Sequence, residues 1–128
     1  MAVSTKPFSE DWMTEYFAMV DTLDPHELVE WYNDDAEFRF ANEPPTKSKA
    51  EIIAALTKFY GLIKSMHHEN TGRWAKADSG VFEAMAHFET KDGRAVVIPA
   101  VSTLRLVNGR IQHFLFAMDA SPVMQAPK

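Results

Sequence analysis

The order of hydrophobic periodicities constrains this chain most. Apolar residues recur at helical spacing through three segments, with one brief alternating stretch after the second, and four long alternating stretches then follow in succession. Helices followed by consecutive strands predict an α+β domain: a strongly curved antiparallel sheet, with the helices of the N-terminal half across one face, enclosing a pocket. Trp12, Tyr16, Met19, Val20 and Leu23 form the first helical stripe, with Glu10 and Asp11 in its first turn, where carboxylates complement the positive helix end. Asp24-Pro25-His26-Glu27 reads as an N-cap, a proline at the first helical position and a capping-box acid, and it launches Leu28, Trp31 and Tyr32. Asn33-Asp34-Asp35 ends that helix, and residues 36–40 alternate as a short strand with Phe38 and Phe40 on one face. Ser48-Lys49-Ala50-Glu51 is a second capping box, followed by the stripe Ile52, Leu56, Phe59, Tyr60 and Ile63.

From Met66 onward the pattern is strand-like, with turns at Asp78-Ser79-Gly80, Lys91-Asp92-Gly93 and Asn108-Gly109, the last a strong signal for a tight hairpin. The strand from Arg94 to Val107 would reach roughly 45 Å at about 3.3 Å per residue, longer than a domain of this size holds flat. It must therefore bend, and Pro99, which cannot donate to a ladder, predicts a bulge or an edge position near itself.

Composition narrows the function classes. The 128 residues fit one domain, with an ordered core over about 9–122, and the 46% hydrophobic content with fifteen Phe, Tyr and Trp side chains suffices to fill a core and line a cavity. Residues 1–7 and 121–128 read as loosely held ends. A formal net charge of −5 without a Lys/Arg cluster argues against nucleic-acid or anionic-membrane partners. The absence of cysteine removes disulfides, thiolate catalysis and cysteine–metal sites. Met1 to Pro7 carries no apolar run of signal-peptide type, and a cytoplasmic protein is the expectation. The histidines lack metal-site spacing and no glycine-rich phosphate loop or nucleophile elbow occurs, so neither a metal nor a nucleotide cofactor is expected.

Alternation assigns side chains to faces. Glu83, Met85 and His87 share one face of their strand, and Phe82, Ala84, Ala86 and Phe88 share the other. If the polar face is concave, Glu83 and His87 form a carboxylate–imidazole pair for proton transfer; the bland alternative is a solvated face. His67 and His68 face opposite ways, and His68 is placed inside because Asn70 and Trp74 fall on its face. Tyr16 lies in the core stripe of the first helix, where its hydroxyl needs a partner. Ser102 in the long strand is a further polar candidate.

The run Trp31-Tyr32-Asn33-Asp34-Asp35-Ala36-Glu37-Phe38, the capped third helix and a meander closing on Gly109-Arg110-Ile111 and Asp119 together resemble the nuclear transport factor two-like superfamily, over about Asp11 to Pro122. His68-Glu69 with Trp74, Asp92-Gly93-Arg94, Ile98-Pro99-Ala100-Val101, Asn108-Gly109-Arg110-Ile111 and Asp119-Ala120-Ser121-Pro122 resemble its SnoaL-like, polyketide cyclase branch. The resemblance implies a cone-shaped, cystatin-like α+β roll holding one hydrophobic pocket and dimerising through its outer sheet face. Measured against ketosteroid isomerases, Tyr16 matches the oxyanion-binding tyrosine, but Phe40 and Ser102 stand where two carboxylic acids belong. Limonene epoxide hydrolases offer a match at Phe40 and Asn42 for the pair holding water, yet Glu83, Met85 and Phe116 replace the Asp-Arg-Asp triad. Asp119 is the one residue matching the cyclases' aspartate on the last strand.

These readings converge on a protein with a pocket for a hydrophobic small molecule. The enzyme reading is a cofactor-free isomerase, cyclase or hydrolase for a polyketide-, terpenoid- or steroid-like substrate, with Glu83, His68, Tyr16, His87, Ser102 and Asp119 as catalytic candidates. Phe38, Phe40, Asn42, Met85, Phe114, Phe116 and Met118 are the expected ligand-binding residues. The alternatives are a non-catalytic carrier of an apolar ligand and a protein-interaction module using the outer sheet face.

Overall fold

In a computed structural model, which describes residues 3–124, the chain folds into an α+β roll built on one five-stranded sheet. Helix α1 (Glu10–Val20) starts at Ser9, whose hydroxyl accepts from the Trp12 amide, and α2 (Pro25–Leu28) starts at Asp24, whose carboxylate accepts from the His26 and Glu27 amides. A 3-10 turn over Val29–Trp31 follows. Strand β1 (Tyr32–Phe40) begins earlier than its sequence suggests, because Asn33, Asp34 and Asp35 extend the strand through a register shift instead of serving as a stop. Helix α3 (Lys49–Tyr60) is capped by Ser48, as its sequence predicts.

Strands β2 (Ile63–Lys76), β3 (Ser79–Thr90), β4 (Ala95–Val107) and β5 (Arg110–Met118) form an antiparallel meander. β1 returns parallel to β5, giving the order β1-β5-β4-β3-β2. Asn108 and Gly109 both have positive φ, 54° and 80°, as a two-residue hairpin requires. Pro99 sits just beyond the last β4–β5 pair, Ala100 with Met118, so the proline falls where that flank of β4 has no neighbour.

The concave face holds the core. Phe17 of α1 stacks on Phe82 of β3 with centroids 3.9 Å apart, and Phe38 of β1 stacks on Phe114 of β5 at 5.6 Å. Residues 121–124, expected to be loose, form a short helix α4 (Ser121–Met124), and Arg94 holds it by donating to the Pro122 carbonyl at 2.6 Å. Val3 packs on the core and Ser4 donates to Glu15 at 2.5 Å, so the beginning of the described chain is also held. The rest of the sequence's loose ends, residues 1–2 and 125–128, lie outside the described residues.

Gly80 marks where α1 meets the start of β3. A Cβ there would lie 2.7 Å from both Met13 Sδ and Phe8 Cζ, inside van der Waals contact. Gly80→Ala should therefore destabilise the fold by about 1–3 kcal/mol through overpacking, measured by urea denaturation. An unchanged midpoint would mean that α1 is not seated on the sheet in this way.

Candidate active site

The alternation along β3 is correct but its inward face is the apolar one. Phe82, Ala84, Ala86 and Phe88 are buried, whereas Glu83 is exposed and Met85 and His87 lie on the outer face with it. Glu83 accepts from the Thr71 hydroxyl at 2.8 Å, and His87 Nε2 lies 2.9 Å from Glu69 Oε1. Glu83, His87 and Met85 thus stand outside the cavity they are expected to line. The physical reason is the helical layer: its apolar stripes need apolar cover from the sheet, which takes the Phe/Ala face of β3.

His68 is inside. Its side chain is 2% exposed, and Nδ1 lies 2.7 Å from Asp21 Oδ1 while its backbone amide donates to Asp21 Oδ2 at 3.0 Å. Asp21 is the C-cap of α1, and its own amide donates to Phe17 O. Of the two residues that point to an inward His68, Asn70 does share its face, but a register shift between Asn70 and Gly72 turns Trp74 outward, where it is 57% exposed. A carboxylate is only an acceptor, so the proton of neutral His68 sits on Nδ1 and the lone pair on Nε2 is free.

His68 lines an apolar cavity of ≈30 Å³ between α1, α3 and the sheet, ringed by Phe38, Phe40, Phe59, Phe114 and Phe116. Among the described residues, the buried side-chain polar atoms without a partner are Trp31 Nε1, Tyr60 Oη and His68 Nε2, and the last two belong to residues lining this cavity. An unsatisfied buried polar atom costs about 1–3 kcal/mol. Two on one cavity are the kind of exception that marks a site for a ligand.

Tyr16 also lines the cavity, and its hydroxyl lies 2.6 Å from the hydroxyl of Tyr32, both rings meeting Phe114 in tilted contacts. Burial raises the pKa of Tyr16 well above its usual value, with the nearby Tyr32 and Tyr60 adding to it. Burial likewise raises Tyr32, and raises Tyr60 with help from the Asp21 and Asp24 carboxylates. All three phenols are therefore proton donors over the physiological range.

The remaining candidates fall elsewhere. Ser102 is buried on the concave face but is not a lining residue of the cavity. Asn42, Met118 and Asp119 line an open surface cleft at the end of the sheet, which Phe40 also borders. Asp119 accepts from the Ser121 amide at 3.1 Å at the entry to α4, and hydrogen bonding from the Ser121 hydroxyl and then from its amide holds its carboxyl below the usual range. Three cluster members, Asp21, Tyr32 and Tyr60, read in sequence only as helix-end or stripe residues. The one sequence signal available is Asp21 itself, an acid at the C-terminal end of a helix where the dipole disfavours it.

Residues 13–114 match the family model of the SnoaL-like domain, and the chain belongs to that family. Solved structures of similar fold include an NTF2-like protein of unknown function from Burkholderia pseudomallei, with a TM-score of 0.78 at 16% identity over 91% of this chain and 96% of that one. A protein with a ketosteroid isomerase-like fold from Catenulispora acidiphila, in complex with trimethylamine, gives 0.78 at 17% identity over 90% and 96%. A candidate SnoaL-like polyketide cyclase from Shewanella putrefaciens gives 0.75 at 20% identity over 88% and 94%. No curated protein matches the chain significantly. No helix among the described residues is long and apolar enough to cross a membrane.

All three tyrosines of the chain have raised pKa, Tyr16 and Tyr32 as buried side chains and Tyr60 through a buried hydroxyl on a half-buried ring. A raised folded-state value favours the protonated form in the fold, so their contribution is complete below pH of about 10 and is lost as pH rises beyond it, where only the unfolded chain ionises. Native protein titrated with base should show no tyrosinate absorbance until it unfolds, and then all three phenols should appear together. A tyrosine titrating in native protein near pH 10 would contradict this burial.

Proposed function

We propose that this protein is an enzyme that moves a proton at a carbon next to a carbonyl group of an apolar small molecule, by general acid–base catalysis in the cavity beside His68. The observation that carries the reading is the pairing of opposite orphans, the acceptor His68 Nε2 and the donor Tyr60 Oη–H, on one apolar cavity. A ligand that satisfies both brings a carbonyl oxygen to Tyr60 and an acidic C–H to His68. His68 Nε2 takes the proton, the C–H electron pair moves into the enolate, and its oxygen is held by Tyr60. Asp21 keeps the imidazole in the reactive tautomer and balances the imidazolium that forms. Tyr16 lines the same space, with its hydroxyl paired to that of Tyr32.

Return of the proton from the imidazolium to a different carbon gives an isomerase; attack of the enolate carbon on a second carbonyl within the substrate opens that C=O π bond to an alkoxide, which takes the imidazolium proton, and gives a cyclase. Membership of the SnoaL-like family and the likeness to a candidate polyketide cyclase support that range. His68→Asn should lower turnover about 10²–10⁴-fold, and Asp21→Asn should lower it less. The measurement is deuterium uptake next to the carbonyl of a ketone followed by NMR. Exchange as fast in His68→Asn as in the native protein would end the proposal. The carrier reading uses the same atoms to orient a ligand only, and mass spectrometry of gently purified protein that finds one unchanged, retained apolar molecule would favour it.

The outer sheet face supports a homodimer. Val97, Val101 and Leu115 are exposed there at 50%, 37% and 36%, among Met85 and Pro99 on neighbouring strands. The cross-strand rows place Glu69 and Glu83 toward one end of the face and Arg39 and Arg105, with Glu37 beside them, toward the other. Val101→Arg should convert a dimer to a monomer in sedimentation experiments. A native monomer at high concentration would remove this assignment.

A further inference from the structure

The cavity beside His68 has room for about a water molecule, whereas pockets for drug-sized ligands run to about 300–1,000 Å³. A second chamber of ≈210 Å³ lies beside it, between the end of β1, the flank of α3 and α4. Phe38, Phe40 and Phe59 line both spaces. The separation is thus made of aromatic rings.

Phe40 is the ring among them with freedom to move. It is half-buried, while Phe38 and Phe59 are 3% and 5% exposed. It ends β1, an edge strand whose open side carries an isolated bridge from Phe38 to Thr46, and the next residue, Ala41, turns the chain with φ of 51°. Its ring meets Phe59 at 4.7 Å and Phe116 at 5.5 Å in tilted contacts. Such contacts hold a ring by dispersion alone, a small barrier to rotation.

We infer that the two chambers are halves of one substrate site, with the Phe40 ring as a movable partition, and that the substrate is a flat apolar ketone of one or two rings that enters carbonyl first. This rests on the acid–base reading for the inner end and adds size, direction and route. The joined space stays below the usual range for drug-sized ligands, so two fused rings fit and four do not. The direction follows from polarity: the orphan donor and acceptor lie at the inner end, whereas Lys58 and Glu43 of the outer chamber are exposed to solvent. The oxygen-bearing ring goes inward and the bare or polar-substituted end stays out.

The probe is α-tetralone, a bicyclic ketone with exchangeable protons next to its carbonyl, with binding read by calorimetry and exchange by NMR in deuterium oxide. Ala55, half-buried on α3, and Leu62, exposed at the start of β2, line the outer chamber and not the inner one. Ala55→Trp should weaken tetralone binding about 10-fold or more and reduce exchange in step. Leu62→Trp is the second variant should the first lose its native circular dichroism. Phe40→Ala should admit the four-ring ketone androstenedione, which the native protein rejects. The inference is overturned if native protein fails to bind tetralone, if it binds androstenedione as well as tetralone, or if folded tryptophan variants bind and exchange tetralone like the native protein. Failure of the acid–base reading looks different: tetralone binds and the tryptophan variants block it, but no exchange above buffer occurs.

Discussion

The contact between Asp21 and His68 is the constraint on which the rest of this structure turns. A carboxylate at the C-terminal end of α1 opposes the helix dipole, at about 0.3–1 kcal/mol, and α1 has no basic residue in its last turn to relieve it. Two hydrogen bonds from one residue, the ring and the backbone amide of His68, offset that penalty; bonds to a charged group contribute about 1.5–3 kcal/mol each. The contact fastens the end of α1 to β2 and sets the imidazole's tautomer and direction in a single arrangement. His67, the exposed neighbour, approaches the same carboxylate at 3.8 Å, so Asp21 is reached from both faces of β2.

Core packing and ligand binding compete for the same aromatic rings. Phe38 with Phe114 and Phe40 with Phe116 join β1 to β5, and they are also among the rings that line the ≈30 Å³ cavity beside His68. A core that closes this well is stable when empty, because no large void is left without dispersion partners. Binding as proposed here would require a ring to give way. Phe40, at the edge of the sheet and already half-exposed, is where that displacement disturbs least.

The fold was legible in the chain because its signals are local and agree with each other. Caps at Ser48 and Asp24, the Asn108-Gly109 turn and the alternation along β3 each specify backbone geometry within a few residues. The choice of face was not local: which side of β3 lies inward depends on helices far away in sequence, and Glu83 with His87 read there as a site when they belong to the outer surface. His68 was reachable because consecutive histidines must split between faces, but a bulge after Asn70 broke the row that pointed to it. Asp21, Tyr32 and Tyr60 carry no mark of their role, since a tertiary contact gives each its meaning. The motifs Asp92-Gly93-Arg94 and Asp119-Ala120-Ser121-Pro122 prove to be parts of one fastening, in which Arg94 grips the carbonyls of Pro122 and Val123, and so they record architecture and not chemistry.

The cavity contains no carboxylate on its lining, which determines how charge can enter it. Tyr16 and Tyr60 carry hydroxyls held protonated by burial, and His68 turns Nδ1 to the Asp21 carboxylate. A charged ligand would have to shed its hydration there with no counter-ion on the lining to meet it, which weighs against charged molecules in the proposed site. In the proposed reaction, charge would appear when His68 takes a proton, as an enolate facing the Tyr60 hydroxyl and an imidazolium backed by Asp21. The two charges would form together, among phenylalanines that exclude the water that otherwise weakens such interactions.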